Sequence, residues 1–341
     1  LKAALELLQR GKTLDRAQAR TAMDRLLASD TPPEHVAAFL ACLRMRGEAV
    51  SELSGFLDSI RARSIGIGAE ISGAIDVCGS GGDGANTFNI STVSAFVLAG
   101  GGVRVAKHGN RAVSSACGSA DVLRALGVAV EATPVQFREL VETTGFGFLF
   151  ANHYHPHLAA VAGIRRSLGI RTTFNLLGPM LNPARVSRQV VGVFDPALCE
   201  RIALTLLEQG SEEALVVSGP GGLDEFALSG ETTVAHLKAG VVTVSLVAPE
   251  SVGLARAELS EIRGGTVSEN ARILEAILSG ERRGAALDIV LYNAGAGFFV
   301  AGRARSIREG VELARESVRS GAARQALENV RNVSDAIVSR A

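Results

Sequence analysis

Two glycine- and hydroxyl-rich stretches are the first candidates for chemistry. Asp76-Val77-Cys78-Gly79-Ser80-Gly81-Gly82-Asp83-Gly84 follows a short β-rich run. Its glycines allow positive φ and bring backbone N–H groups close to a ligand with no Cβ in the way. Such a turn at a strand end can form an anion nest, although a glycine-rich βα turn is as readily structural. It is neither a Walker A sequence nor GxGxxG. Asn86-Thr87-Phe88-Asn89-Ile90-Ser91-Thr92 comes next, with Asn89, Ser91 and Thr92 at the expected start of a helix. Helix N-termini bind phosphate through orphan N–H groups, and capping by Ser91 would use those same groups. Lys107-His108-Gly109-Asn110-Arg111-Ala112-Val113-Ser114-Ser115 follows a second β run and adds two cations. Two such loops at successive strand ends favour an anionic ligand over a structural turn.

Asp224-Glu225 follows Gly221-Gly222-Leu223. Adjacent carboxylates suit Mg²⁺, which takes oxygen ligands and bridges to substrate phosphates, but an acidic turn is common by itself. His153-Tyr154-His155-Pro156-His157 has no HExxH spacing and no adjacent acidic or cysteine ligand, so capping or lining roles are expected rather than a transition metal. No GxSxG elbow is present, and no cysteine has a local nucleophile signature.

The elements that must position these residues fall into two parts. The first seventy residues read as helices, with Thr13 predicted as one N-cap and Thr31-Pro32 as another. From Ile71, short β runs alternate with helical stretches: AIDVCG, VRVAKHG, VAVE, GFLFA, QVVGVF and EALVVSG. Thr133-Pro134 is a further cap pair. The alternation predicts an α/β fold, a mainly parallel sheet flanked by helices, plus a small all-helical domain. The expected division is 1–70 and 71–341, with mid-chain helices packing back on the first unit. Residues 226–247 predict a hairpin or a small antiparallel annex, and the chain reads as helical from about Ser268.

Composition narrows the function classes. The 341 residues are 47% hydrophobic, enough for a sizeable core. Lys plus Arg (35) equals Asp plus Glu (35), which argues against a general nucleic-acid binder but allows a local basic site. The absence of Trp, with only two Tyr, argues against a base-stacking platform. Cys42, Cys78, Cys117 and Cys199 form no CxxC pair, which reads as reduced thiols in a cytoplasmic protein. No run approaches the roughly 18 apolar residues of a membrane span. The first residue is Leu1, which suggests that a short N-terminal piece precedes it.

With these motifs in order, the chain resembles the anthranilate phosphoribosyltransferases of tryptophan biosynthesis along its whole length. CGSGGDGANTFNIST (78–92), KHGNRAVSSACGSADVLRALG (107–127), FNLLGPMLNP (174–183) and GLDEF (222–226) carry the resemblance. It implies a helical domain and an α/β domain with substrate in the cleft between them, and a homodimer formed through the helical domains. It also implies transfer of 5-phosphoribose from phosphoribosyl pyrophosphate to the anthranilate amine, with Mg²⁺ as cofactor. By the same resemblance, Gly79, Gly82, Asp83, Thr87, Asn89, Ile90, Ser91 and Thr92 contact phosphoribosyl pyrophosphate. Lys107, His108, Gly109, Asn110, Arg111, Ala112, Val113, Ser114, Ser115 and Ser119 complete that shell. Asn110 and Arg165 contact anthranilate, with Gly79, His108 and Gly178 beside them. Ser91, Asp224 and Glu225 hold the metal.

Charge separation at C1–O cleavage would be favoured by metal and fixed donors. The arylamine is neutral at pH 7 and needs positioning, so no obligatory base is assigned. The planar Arg165 guanidinium matches the anthranilate carboxylate. Ser80 stands where relatives often have Thr and keeps the hydroxyl. His157-Leu158-Ala159-Ala160 stands where many relatives have a larger side chain followed by a basic one, which bears on the shape of the anthranilate tunnel. The competing readings are a pyrimidine nucleoside phosphorylase-like enzyme and a non-catalytic relative that binds nucleic acid.

Overall fold

The computed structural model describes residues 1–82, 84–112 and 117–340. The chain opens with α1 (Lys2–Gln9), α2 (Arg16–Leu26), α3 (Pro33–Arg46) and α4 (Val50–Arg61). The caps differ from the sequence expectation. Asp15, not Thr13, caps α2, accepting from the Gln18 N–H at 2.8 Å while the Gln18 side chain reaches back in a capping box. A carboxylate offers an acceptor and a favourable charge at the helix N-terminus together. Thr31 likewise caps nothing: its hydroxyl turns back to the Arg25 carbonyl, Pro32 takes the cap position and Pro33 begins α3.

The second part builds a sheet from β1 (Ile75–Gly79), β2 (Val105–Gly109), β3 (Phe146–Phe150), β4 (Arg188–Gly192), β5 (Glu213–Ser218), β6 (Thr232–Lys238) and β7 (Val241–Val247). Among the described residues the order is β3-β2-β1-β4-β5-β6-β7, with β1 to β5 parallel and the β6–β7 hairpin antiparallel at one edge. The crossovers are α5 (Ile90–Gly100), α6 (Ser119–Ala125), α7 (Pro134–Thr144), α8 (Ala151–Tyr154), α9 (Ala159–Leu168), α10 (Thr173–Leu177) and α11 (Cys199–Glu208). The chain closes with α12 (Val267–Leu278), α13 (Ala285–Val300), α14 (Ile307–Arg319) and α15 (Ala322–Ser339). Thr133 caps α7 as expected, in a capping box with Gln136. VAVE (128–131) is a turn between α6 and α7 rather than a strand. Val128 and Val130 are buried in this connection, and the Ala129 N–H donates to the Ser334 hydroxyl of α15 at 2.9 Å rather than to a strand.

The period of two along each strand divides the core. Val190, Leu215 and Val217 face α5, α7 and the C-terminal helices, where Phe96 stacks on Phe146 at 4.5 Å. Val191, Ala214 and Val216 face α11 and the N-terminal helices. Val161 on α9 and Phe174, Leu176 and Leu177 on α10 join this second cluster, so α9 packs on α3 and α10 on both α3 and α4.

β1 pairs with β2 on one side and β4 on the other, and the chain winds away in opposite directions from that pair. Loops leaving such a switch point diverge and open a crevice at the strands' C-terminal ends. The 219–231 segment crosses that crevice. A Cβ at Gly192, the last residue of β4, would overlap the Asp224 backbone carbonyl. Gly192→Ala should therefore destabilise the protein by about 2 kcal/mol by overpacking. Urea denaturation at pH 7 measures this, and an unchanged midpoint would contradict the close approach.

Candidate active site

The site lies at this crevice. The β1 loop turns through Gly81 and Gly82 at φ 69° and 71° and then rises to α5. Asp224 and Glu225 reach it from across the crevice. The Gly81 N–H donates to Asp224 Oδ2 at 2.6 Å, and the Ser91 N–H, in the first turn of α5, donates to Glu225 Oε1 at 3.2 Å. Gly79 makes this possible, because a Cβ there would collide with the Asp224 carboxylate. The amide donors that would suit a phosphate thus meet the acids that would suit a metal. Asn89, not Ser91, occupies the α5 cap position, without a side-chain cap bond. Ile90 is buried as the first residue of α5, and Thr92 Oγ1 is buried with no hydrogen-bond partner among the described residues.

Below this, Lys107 on β2 is 1% exposed. Its ammonium donates to the Val77 carbonyl at 2.6 Å and to Ser91 Oγ at 3.1 Å, fixing the Ser91 hydroxyl from underneath. Asp76, fully buried beside it, accepts from the His108 N–H at 3.2 Å and the Asn182 amide at 2.8 Å. Burial pushes the Asp76 carboxyl up to about 6, against Lys107, Asn182 and the His108 amide, which lower it.

The loop after β2 is stitched to α5 and α6. The Asn89 amide donates to the Cys117 carbonyl at 3.1 Å and accepts from Asn270 at 3.0 Å. Asn110 accepts from the Arg111 N–H at 2.7 Å and donates to Asn152 at 3.2 Å, while the Ser119 hydroxyl donates to the Asn110 carbonyl at 3.2 Å. The Ala112 and Gly118 N–H groups share Asp121 Oδ2, both at 3.0 Å. Arg111 is exposed and reaches Glu131 at 3.4 Å. Thr87 bridges to Arg263. Asp83, Val113, Ser114 and Ser115 lie outside the described residues.

On the helical side, Arg165 is half-buried with its guanidinium 5.0 Å from the Phe174 ring centroid, whereas Arg166 is exposed. Burial lowers the Arg165 pKa from its ordinary value. Gly178, in the turn after α10, has open space where a side chain would project. The His108 ring lies edge-on to His155 at 5.3 Å, and burial first, then His155, push its pKa down to about 3, against the Gly178 backbone. His155 is pushed down to about 4, by burial first and then His157. Its Nε2 lies 3.0 Å from the Leu181 carbonyl, which can only accept, so Nδ1 accepts from Ser64 at 2.7 Å. His108 and His155 are therefore neutral rings on an interior wall, and among the described residues no group of three or more His, Cys, Asp or Glu is placed to hold a metal.

With this geometry in place, the comparisons are decisive. Residues 72–324 match the α/β domain of a glycosyl transferase family, and residues 2–64 match its helical bundle domain. Anthranilate phosphoribosyltransferase from Symbiobacterium thermophilum is 48% identical over 331 residues, covering 97% of each chain. The chain belongs to the anthranilate phosphoribosyltransferase family. The crystal structure of the family member from Thermus thermophilus superposes with a TM-score of 0.92 at 42% identity, covering 97% of this chain and 99% of that one. The Saccharomyces cerevisiae member, in complex with phosphoribosyl pyrophosphate and Mg, superposes at 0.88 with 30% identity, covering 98% and 97%. Family members are pentosyltransferases of tryptophan biosynthesis, and this relationship sets aside the phosphorylase reading.

Within the family frame, sequence reasoning quoted Asp76 and Asn182 inside motifs without giving them a role, and passed over Phe194 and Arg171. Arg171 sits in GIRTTFN just before the FNLLGP motif, a basic residue among hydroxyls, and that was the available signal. Asp76 and Asn182 gave none, because their pairing joins positions 106 residues apart.

The depressed histidines fix the sign of an acid response. A His held below its unfolded value near 6.5 binds its proton in the unfolded chain first, so stability falls as pH drops from about 6.5 towards 4. Asp76, raised to about 6, acts the opposite way as pH falls from about 6 towards 3.8 and offsets part of that loss. His155→Gln should remove about 2 kcal/mol of the stability lost between pH 7 and pH 4.5. Urea denaturation at both pH values measures it, and a drop equal to that of the unsubstituted chain would refute the assignment.

Proposed function

We propose that this cleft transfers 5-phosphoribose from phosphoribosyl pyrophosphate to the amine of anthranilate, releasing pyrophosphate and N-(5-phosphoribosyl)anthranilate. The observation that carries the reading is the meeting of Asp224 and Glu225 with the amide donors of Gly81 and Ser91. Gly79, Gly82, Thr87, Asn89, Ile90, Ser91 and Thr92 form the diphosphate cradle, with Lys107 to Ala112 and Ser119 on its second wall; Asp83, Val113, Ser114 and Ser115, which the resemblance assigns to the same ligand, lie outside the described residues. The orphaned Thr92 hydroxyl fits a ligand on this floor.

Mg²⁺ fits the donors present: two carboxylates and the Ser91 hydroxyl are hard oxygen ligands, few enough to leave room for water and phosphate. When bound it would neutralise charge on the departing diphosphate. The chain's own contribution is fixed donors at the point where that charge develops. Lys107, buried beneath Ser91, keeps the hydroxyl oxygen in place and adds a positive field.

Anthranilate lies on the helical side of the cleft. Arg165 takes its carboxylate, with Asn110, His108, Gly178 and Gly79 around it. The neutral His108 ring presents no competing cation, and no obligatory base is assigned. The chain is further read as two units, 1–70 and 71–341, with α9 and α10 packed on the first. It is read as a homodimer through the helical unit and as cytoplasmic. Among the described residues no helix is long and apolar enough to cross a membrane.

Steady-state kinetics with each substrate varied test the assignment. Arg165→Ala should raise the anthranilate KM about tenfold or more, the loss of a charged hydrogen-bonded pair, with the sugar KM little changed. The double change Asp224→Ala/Glu225→Ala should chiefly abolish Mg²⁺-dependent turnover. An unaltered anthranilate KM and kcat in Arg165→Ala would make the assigned tunnel wrong.

A further inference from the structure

Arg171 stands between α9, closed by Gly169 at φ 63°, and α10. Its guanidinium donates to the Gly82 carbonyl, 89 residues earlier in the chain. It also lies 4.1 Å from the Phe194 ring centroid. Phe194 is buried and comes two residues after the end of β4, while Gly82 belongs to the loop after β1. Arg171 therefore bridges the two loops that diverge at the switch point, and does so from the helical side of the cleft.

On its other flank the same loop is held by Asp224, which takes the Gly81 N–H at 2.6 Å. Neighbouring groups of the turn are thus gripped by opposite charges from opposite walls: an acid on an N–H, a base on a carbonyl. The turn needs such a grip. Gly81 and Gly82 lack side chains and adopt positive φ, so without external contacts this stretch would sample many conformations. Fixing one carbonyl fixes the plane of its rigid peptide unit and with it the direction in which adjacent amides point. The aromatic face beneath the guanidinium orients the fork toward that carbonyl.

We propose that Arg171, clamped between the Phe194 ring and the Gly82 carbonyl, is a positioning residue that holds the β1 loop in its diphosphate-binding shape. This rests on the reading of that loop as the diphosphate cradle.

The test is calorimetric titration of phosphoribosyl pyrophosphate with Mg²⁺ into the full chain and its Arg171→Ala, Arg171→Lys and Phe194→Leu variants. The anthranilate KM and thermal midpoint are measured alongside. Loss of a charge-assisted bond should weaken sugar binding about tenfold in Arg171→Ala. Arg171→Lys keeps a cationic donor without the fork, and Phe194→Leu keeps the fork without its aromatic support, so each should fall between that value and wild type. The anthranilate KM should stay within about twofold, which general loss of packing would not allow. Sugar binding by Arg171→Ala within about twofold of wild type overturns the proposal. So does an anthranilate KM that rises in step with the sugar dissociation constant, or equal weakening by Lys and Ala. Should the unsubstituted chain itself take up no sugar, the cradle reading fails and Arg171's role falls with it. Binding by wild type that Arg171→Ala leaves unchanged removes the Arg171 proposal alone.

Discussion

A carboxylate held against the amide donors of a glycine turn is the interaction on which the architecture around the cleft depends. Asp224 takes the Gly81 N–H and Glu225 takes the Ser91 N–H, so two acids from one short segment close over both ends of the β1–α5 connection. N–H groups at a turn and in the first turn of a helix lack intrahelical partners, and here the protein supplies its own. The arrangement joins two otherwise opposed demands. Donors for a diphosphate must sit near acids for a divalent cation, yet acids and diphosphate repel each other by about 4 kcal/mol per unit-charge pair at 4 Å near a surface. A divalent cation held by Asp224 and Glu225 would offset that repulsion in the proposed reaction. Gly79 and Gly192 are where the sheet yields space for the acidic segment, one to the Asp224 carboxylate and the other to its backbone.

Beneath the acids lies a polar floor contributed by β1 and β2. Lys107 and Asp76 are both essentially inaccessible, and each charge is met by hydrogen bonds as well as by the opposite charge nearby. Burying ions is costly unless their remaining donors and acceptors are occupied, and breaking one side of such a pair is worse than never forming it. Lys107 ties β2 to β1 and to the first turn of α5, and Asp76 ties β1 to the amide of His108 and to Asn182. The loops above can be rich in glycine because the floor is rigid.

Sequence pattern made the α/β alternation and the β6–β7 hairpin legible, since both depend on local periodicity and turn chemistry. Thr133-Pro134 was read correctly because cap, proline and Gln136 lie within one turn. Thr13 and Thr31 misled for the converse reason: Asp15 outcompetes Thr13 as a cap, and the Thr31 hydroxyl turns back to the Arg25 carbonyl. VAVE alternates valines as a strand would, but its Ala129 N–H is taken by the Ser334 side chain. The glycine loops, Lys107 and the acidic pair could be picked out by residue type, and the family resemblance ordered them. What the sequence did not disclose is how they are fastened. Ser91 is held by Lys107 and Glu225 rather than acting as a cap, Asn89 links α5 to α12, and Arg171 reaches Gly82. Each of these contacts joins distant positions and leaves no local periodicity behind.

Calorimetric titration of phosphoribosyl pyrophosphate into the unsubstituted chain, once with Mg²⁺ and once with the metal chelated, tests the central claim most directly. If the acids and amide donors form one charge-balanced cradle, the sugar binds with metal and binds far more weakly without it, by about tenfold or more. Uptake of equal strength under both conditions would contradict the account, because the diphosphate would then be held without the cation that Asp224 and Glu225 are there to place.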